Sequence, residues 1–362
     1  MLTSIIEGFK KVKDFRHKRG KRHELWVVLS IIFLGLMTGN VNYQQIAKFS
    51  SYEKEKLIQW LGIPQENLPS YSTIRRVMIG LNTLEIKAIF EDFVEKHYWL
   101  KDGEDWLAVD GKNLKNTLTD YENNCQNILI NISAYSPETQ LVIKSEAFES
   151  QESSENAEVR TMIEKSGLVN KVFTLDALHC SQKTTRTIIE SKNDYLITVK
   201  KNQIKLYNRL KELSEKEKPL SEYQREDGSH GRKITRTVSV FDGQKLGIKN
   251  YPHLHRVISV KRQGWRERKE GNETLYYISS KKLPAQIFAE KIQQHWGIEN
   301  QVHWVKDVVF QEDNLRIKDC VVAEKFSLLT TLIMNLCRIC GFLSISKGQV
   351  WLGKHWQKML LI

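Results

Sequence analysis

Glu299 stands midway between two histidines in HWGIENQVHWVKDVVFQED, residues 295–313, where a His-Trp pair recurs at His295-Trp296 and His303-Trp304. Taken as one helix of about 3.6 residues per turn, His295, Glu299 and His303 share a face. That spacing suits a transition metal and a zinc-dependent hydrolysis. A different chemistry would use Glu299 with two carboxylates from elsewhere. WLAVD and KVFTLD read as short buried strands ending in Asp110 and Asp176, and open α/β sheets carry functional groups at the carboxyl ends of their strands. A lone Asp at a strand end is more often a turn former or a helix cap. Three carboxylates around one point bind hard divalent cations, and Mg²⁺ completes its shell with water and substrate phosphate. Two such ions can serve an in-line phosphoryl transfer. Spacing alone leaves both chemistries open.

Neighbouring residues have rival uses. Lys112 and Asn300 flank the candidate acids and are placed to orient DNA or a carboxylate, and His179 follows Asp176 closely enough to do the same or simply to pack. Asp307, Glu312 and Asp313 compete for a metal role, with helix capping and surface solvation as their ordinary uses. Trp296 and Trp304 are expected to be core anchors rather than base-stacking platforms.

These residues need a scaffold, and 362 residues exceed what one core usually serves. Residues 1–100 have helical apolar spacing, as in YQQIAKFSSYEKEKLIQWLGI. Ser70 or Ser72 can cap a helix carrying Arg75 and Arg76, making this unit a candidate DNA-binding module of helix-turn-helix type. Residues 101–200 follow the order β-β-β-α-β-α-β, which predicts a mixed α/β sheet flanked by helices. Residues 201–283 read as a β-rich insertion behind a Lys- and Glu-rich helix. Residues 284–345 return to helix and carry Glu299, and 346–362 read as a C-terminal tail.

Composition narrows the function. Hydrophobic residues make up 41% and charged residues 27% of the chain, values that predict a folded globular protein. The net charge of +12 favours a polyanionic partner. Basic residues concentrate at Lys10, Lys11, Lys13, Arg16, Lys18, Arg19, Lys21 and Arg22, and again from Arg256 through Lys261, Arg262, Arg266 and Arg268 to Lys269. Five scattered cysteines argue against a secreted disulfide framework and for a reducing, cytoplasmic setting. The lone CxxC of Cys337 and Cys340 lies in an apolar helical run and reads as packing. LWVVLSIIFLGLMTG, residues 25–39, falls short of the roughly 20 residues needed to span a bilayer and reads as a buried helix.

Taken in order, LAVDGKNLK, FTLDALHC and HWGIENQVHWVKDVVFQEDNLRIK resemble the DDE transposases of bacterial insertion sequences, and most closely the H-repeat-associated (Rhs-element) group. The resemblance extends from DFRHKRGKRHEL and PSYSTIRRV in the N-terminal associated region to the C-terminal helices. It implies an RNase H-like core in which Asp110, Asp176 and Glu299 are the catalytic acids and hold two Mg²⁺ ions, with Mn²⁺ as an alternative. Related transposases carry a Tyr-Arg-Glu-Lys signature around the Glu. Here Lys306 fills the Lys position as a phosphate contact, while His295 and Ile292 occupy the Arg and Tyr positions, with His295 a further candidate contact to DNA phosphate. The implied partners are double-stranded DNA, as terminal inverted repeats and as target, and a homodimer or larger assembly when ends are synapsed. Two alternatives stay open: a metal-dependent nuclease without strand transfer, and a non-catalytic DNA-binding derivative.

Overall fold

In the computed structural model, residues 1–63, 67–119, 126–229, 232–266 and 269–360 are described. Pro64, Cys125, Glu267 and Arg268 lie outside them, as do the side chains of Arg266 and Lys269. Six helices come first: α1 (Leu2–Lys11), α2 (Leu25–Met37), α3 (Tyr43–Tyr52), α4 (Lys54–Leu61), α5 (Tyr71–Gly80) and α6 (Thr83–His97). Caps set several starts. Asn42, Ser70 and Asn82 each accept a backbone N–H of the following turn. All of α2 except Trp26 is buried, so this apolar segment is a core helix. Arg75 and Arg76 are exposed on α5, whose apolar side buries Ile74, Val77 and Met78.

The sheet follows: β1 (Asp105–Thr119), β2 (Asn127–Tyr135), β3 (Val142–Glu149), α7 (Glu155–Lys165), β4 (Lys171–Leu175), α8 (Gln182–Glu190), β5 (Asp194–Val199), α9 (Ile204–Lys216), β6 (Ser221–Ser229), β7 (Arg232–Asp242), β8 (Arg256–Arg266) and β9 (Lys269–Ser279). Strand order is β3-β2-β1-β4-β5-β9-β8-β7-β6. β4 runs parallel to β1 and β5, and the other ladders are antiparallel. The α/β class expected from the sequence is the one observed. The β-rich segment differs in one respect: its four strands extend the same sheet through the β5–β9 ladder instead of closing on themselves.

Two helices bracket that extension. α10 (Ala285–His295) buries Ala285, Phe288 and Ile292 against Trp106, Val172, Leu196, Ile258 and Tyr277 on one face. On the other, Leu206 and Leu210 of α9 join Ile197, Tyr276 and Ile278. Strand alternation therefore divides the basic cluster of β8, because Arg262 shares a face with Val260 and Ile258 while Lys261 points the other way.

Helix α11 (Cys320–Ile339) joins the halves. It is long and apolar enough to cross a membrane, but 83% of its apolar window is buried inside the protein. Its polar groups make the joints. Lys325 Nζ donates to the carbonyls of Met78 and Ile79 (2.9 and 3.1 Å), closing the end of α5. Asn335 both accepts from and donates to the backbone of Val142 in β3 (2.9 and 2.8 Å). Cys337 is buried within α11 as core. The tail expected at 346–362 instead carries α12 (Ile345–His355), which reaches α2, and Trp356 beyond it is fully buried.

Candidate active site

Register brings the two aspartates together. The parallel β1–β4 ladder ends at Val109 opposite Leu175, so Asp110 and Asp176 are the next residues on neighbouring strands. Asp110 is not a strand end, contrary to the sequence-based reading. β1 runs on to Thr119 by pairing Asp110 with Ser133 and Lys112 with Asn131 of β2. Only its β4 neighbour stops. Asp176 does leave its strand, and its Oδ1 accepts from Leu178 N at 2.9 Å to cap a short 3₁₀ turn.

Glu299 arrives from the other side. α10 ends at His295, and the chain then winds as π-helix over Glu299–His303 and Val305–Val309 instead of continuing as one α-helix. The one-face alignment of His295, Glu299 and His303 assumed a regular α-helix, and this rewinding removes its basis. His295 Nδ1 pairs with the Thr174 hydroxyl of β4 at 2.8 Å, whereas His303 Nδ1 lies 3.5 Å from Asp110 Oδ2. Glu299 nevertheless lines the same cavity, about 270 Å³, as Asp110, Asp176 and His295. Thr198, Lys200, Arg262 and Trp296 also line it.

Electrostatics mark this cavity as short of positive charge. Burial, and then the facing Glu155 and Asp176, push the Asp110 carboxyl up to about 7. Burial holds His295 down at about 4 and His303 at about 3, so both rings are neutral at pH 7. A neutral imidazole offers a phosphate no positive charge, and the Nδ1 of His295 is already engaged by Thr174.

The lysines expected at the site are used elsewhere. Lys306 is 1% exposed, donates to Ser327 of α11 at 2.7 Å and lies 3.9 Å from Glu312. From there its ammonium does not reach a phosphate at the surface. Lys112 bridges Asp307 at 2.6 Å and Asp313 at 3.2 Å, and Lys115 also pairs with Asp313. Asp307 and Asp313 thus clamp the helical segment to β1. Glu312 is 1% exposed and accepts from Thr330, so surface solvation is not its use. Both tryptophans depart from expectation: Trp296 is 45% and Trp304 53% exposed. The π-helical stretch rephases Trp304, which follows it and which a regular 3.6-residue pattern could not place, whereas Trp296 precedes that stretch at the end of α10.

Glu155 was missed by the sequence reading. It opens α7 behind its Ser154 cap, and its Oε1 lies 3.2 Å from Nε2 of the fully buried His179. His179 Nε2 is also 3.8 Å from Asp176 Oδ1. A side chain at Gly111 would place Cβ 2.6 Å from the Glu155 carboxyl carbon, so glycine beside Asp110 is what lets this carboxylate approach. Nothing in the local sequence of Glu155 distinguishes it from the other acidic residue of that first turn, Glu158.

A divalent ion is the group such a site would need. The donors are hard oxygens, and Asp110 faces two further carboxylates, a repulsion that a cation relieves. The chemistry fits, although among the described residues no three His, Cys, Asp or Glu side chains stand close enough to chelate an ion as they are.

Asp110 and Asp176 on neighbouring strands, Glu299 from a late helical segment on the same cavity and exposed arginines on the helical region in front thus occur together in one chain. Residues 101–336 match the family described as Transposase DDE domain, and residues 6–94 match the one described as DDE_Tnp_1-associated. The chain belongs to the Transposase DDE domain family. It is 28% identical over 359 residues to "Putative transposase YncI" of Escherichia coli O157:H7, covering 94% of this chain and 88% of that protein. It is also 28% identical over 351 residues to "H repeat-associated putative transposase YhhI" of Escherichia coli strain K12, covering 92% and 90%.

Proposed function

We propose that the protein is the DNA transposase of an insertion sequence, which cleaves at the element's ends and joins the exposed 3′-OH to target DNA. The supporting observation is the parallel register ending at Val109 and Leu175, which sets Asp110 beside Asp176 on the cavity that Glu299 lines. Asp110, Asp176 and Glu299 are the residues to hold two divalent cations, Mg²⁺ or Mn²⁺. When bound, these ions supply activation of the attacking oxygen and charge stabilisation of the leaving one.

The chain's own residues do the rest. Asp110, pushed up to about 7 by burial and the facing carboxylates, is a carboxylate that positive charge would relieve. His303, neutral and 3.5 Å away, orients it without competing as a cation. Thr174 and His295 tie β4 to the end of α10 and so fix the approach of Glu299. Arg262 and Lys200 on the cavity wall are the cations available to DNA phosphates there. Arg75 and Arg76, exposed on α5, add phosphate contacts from the N-terminal helices. Ends are brought together by a dimer or larger assembly.

The test is strand transfer of a labelled, pre-cleaved element end into plasmid DNA with Mg²⁺. Asp110→Asn, Asp176→Asn and Glu299→Gln are each expected to lose on the order of a thousandfold or more in joining while retaining end binding. Full joining by any of the three overturns the assignment. Cleavage without joined product would make the protein a nuclease, and neither activity in the unaltered chain a DNA-binding derivative.

A further inference from the structure

We propose that Glu155 is a fourth cation-binding carboxylate of this site, set against Asp110 and held there by His179. The inference rests on the reading of Asp110, Asp176 and Glu299 given above and adds a residue to it.

Two independent observations point to Glu155. The first is steric: its carboxylate stands so close over the β1 backbone that a Cβ at position 111 would come within 2.6–2.9 Å of its three carboxyl atoms. Only a residue without a side chain permits that approach, immediately after Asp110. Two carboxylates forced together in a partly buried cleft repel unless a cation or a shared proton lies between them.

The second concerns His179. It is fully buried, and neither ring nitrogen makes a hydrogen bond among the described residues. Its Nε2 is directed at Glu155 Oε1 (3.2 Å) and Asp176 Oδ1 (3.8 Å). A buried imidazole between two carboxylates is the arrangement that orients anionic ligands from behind. Glu155 has no capping duty to explain its place, because Ser154 accepts from Ala157 N and caps α7. The amino end of α7 favours a negative side chain in this first turn, which lowers the cost of keeping one beside Asp110. Lys112, the nearest lysine in sequence, is turned away and pairs with Asp307 and Asp313. The cluster of Asp110, Glu155 and Asp176 therefore has a deficit of positive charge that a divalent cation would supply.

Glu155→Gln keeps the shape and removes the charge. Mn²⁺ titrated calorimetrically into the full-length protein, without DNA, should bind this variant about 10- to 100-fold more weakly than the unaltered chain. Anisotropy of a duplex carrying the element end should be unchanged. The metal-free melting temperature should hold or rise, since a repelling charge has gone. Glu155→Asp, with its charge set back by one methylene, should lie between. Mn²⁺ affinity in Glu155→Gln equal to that of the unaltered chain, together with its loss in Asp110→Asn, would overturn the role of Glu155 and leave the three-carboxylate reading intact. A lowered melting temperature with unchanged Mn²⁺ affinity would make Glu155 a packing partner of His179 and also overturn it. No Mn²⁺ binding by the unaltered protein would remove the three-carboxylate reading itself.

Discussion

The two sides of the cavity are built by different means. On the sheet side, Asp110 and Asp176 are placed by hydrogen-bonded register, and one ladder from Asp105–Lys171 to Val109–Leu175 aligns them. On the helical side no ladder exists. Glu299 rides a π-helical stretch whose partners are ions: Lys112 with Asp307 and Asp313, and Lys306 with Glu312. Arg338 of α11 adds a hydrogen bond to the carbonyl of Gln301. Backbone ladders tolerate side-chain change, whereas buried ion pairs fail when one partner goes. The helical half should therefore be the one that single substitutions dislodge.

The largest expected effect is at Lys306. Replacement by Met leaves Glu312, 1% exposed, without its cation and should cost about 3–5 kcal/mol of stability. Adding Glu312→Gln should recover part of that loss, a coupling measurable by denaturant unfolding of the four proteins of the cycle. If Lys306 contacts phosphate instead, Lys306→Met will unfold normally and lower the salt dependence of DNA binding by about one counterion. That result would erase the contrast between the two halves.

The same contrast explains what the sequence disclosed. Short apolar runs followed by Asp identify strands, so the α/β class and the strand positions of Asp110 and Asp176 were legible, although β1 runs on past Asp110. β6 was not, because SEYQREDGS lacks the alternation of a half-buried strand. Glu299 could be singled out as a candidate, but its surroundings were misread: a π-helix has no propensity signature, and a 3.6-residue period assigns wrong faces to His303 and Trp304. Lys306 and Lys112 share the basic character of surface lysines. Their burial depends on Glu312, Asp307 and Asp313 arriving from another turn of the chain, a tertiary fact that local pattern does not carry. Glu155 fails for the same reason, since it meets Gly111 only because α7 returns over β1.

A middle-sized effect tests how tightly the sheet half is built. Gly111→Ala drives a methyl into the Glu155 carboxylate and should cost roughly 1–3 kcal/mol. The crowded atoms end a side chain, so Glu155→Ala in the same protein should restore most of the stability. Equal unfolding midpoints for Gly111→Ala and the unaltered protein would mean that Glu155 stands away from β1.

The smallest effect concerns the joint between the halves, the bond from Thr174 on β4 to His295 at the end of α10. Burial lowers His295 from its ordinary 6.5 to about 4 in the folded protein. A histidine so depressed contributes stability fully above pH 6.5, and loses it as pH falls through 4. Asp110 works in the opposite sense. Raised from 3.8 to about 7, its contribution is complete below 3.8 and declines as pH rises through 7. Asp110 offsets one histidine, but His303, lowered to about 3, adds a second loss on acidification, so the unaltered protein loses stability as pH falls across that window. His295→Gln retains a group that can bond Thr174 but does not titrate, and it removes one of the two histidine contributions. In metal-free buffer its melting temperature should fall less than that of the unaltered protein as pH goes from 6.5 to 4, and the difference between the two curves should grow steadily downward. His303, lowered to about 3, is common to both proteins and does not enter that difference. Parallel curves would mean that the His295 ring is solvated when folded, and that the helical half is held to the sheet by its ion pairs alone.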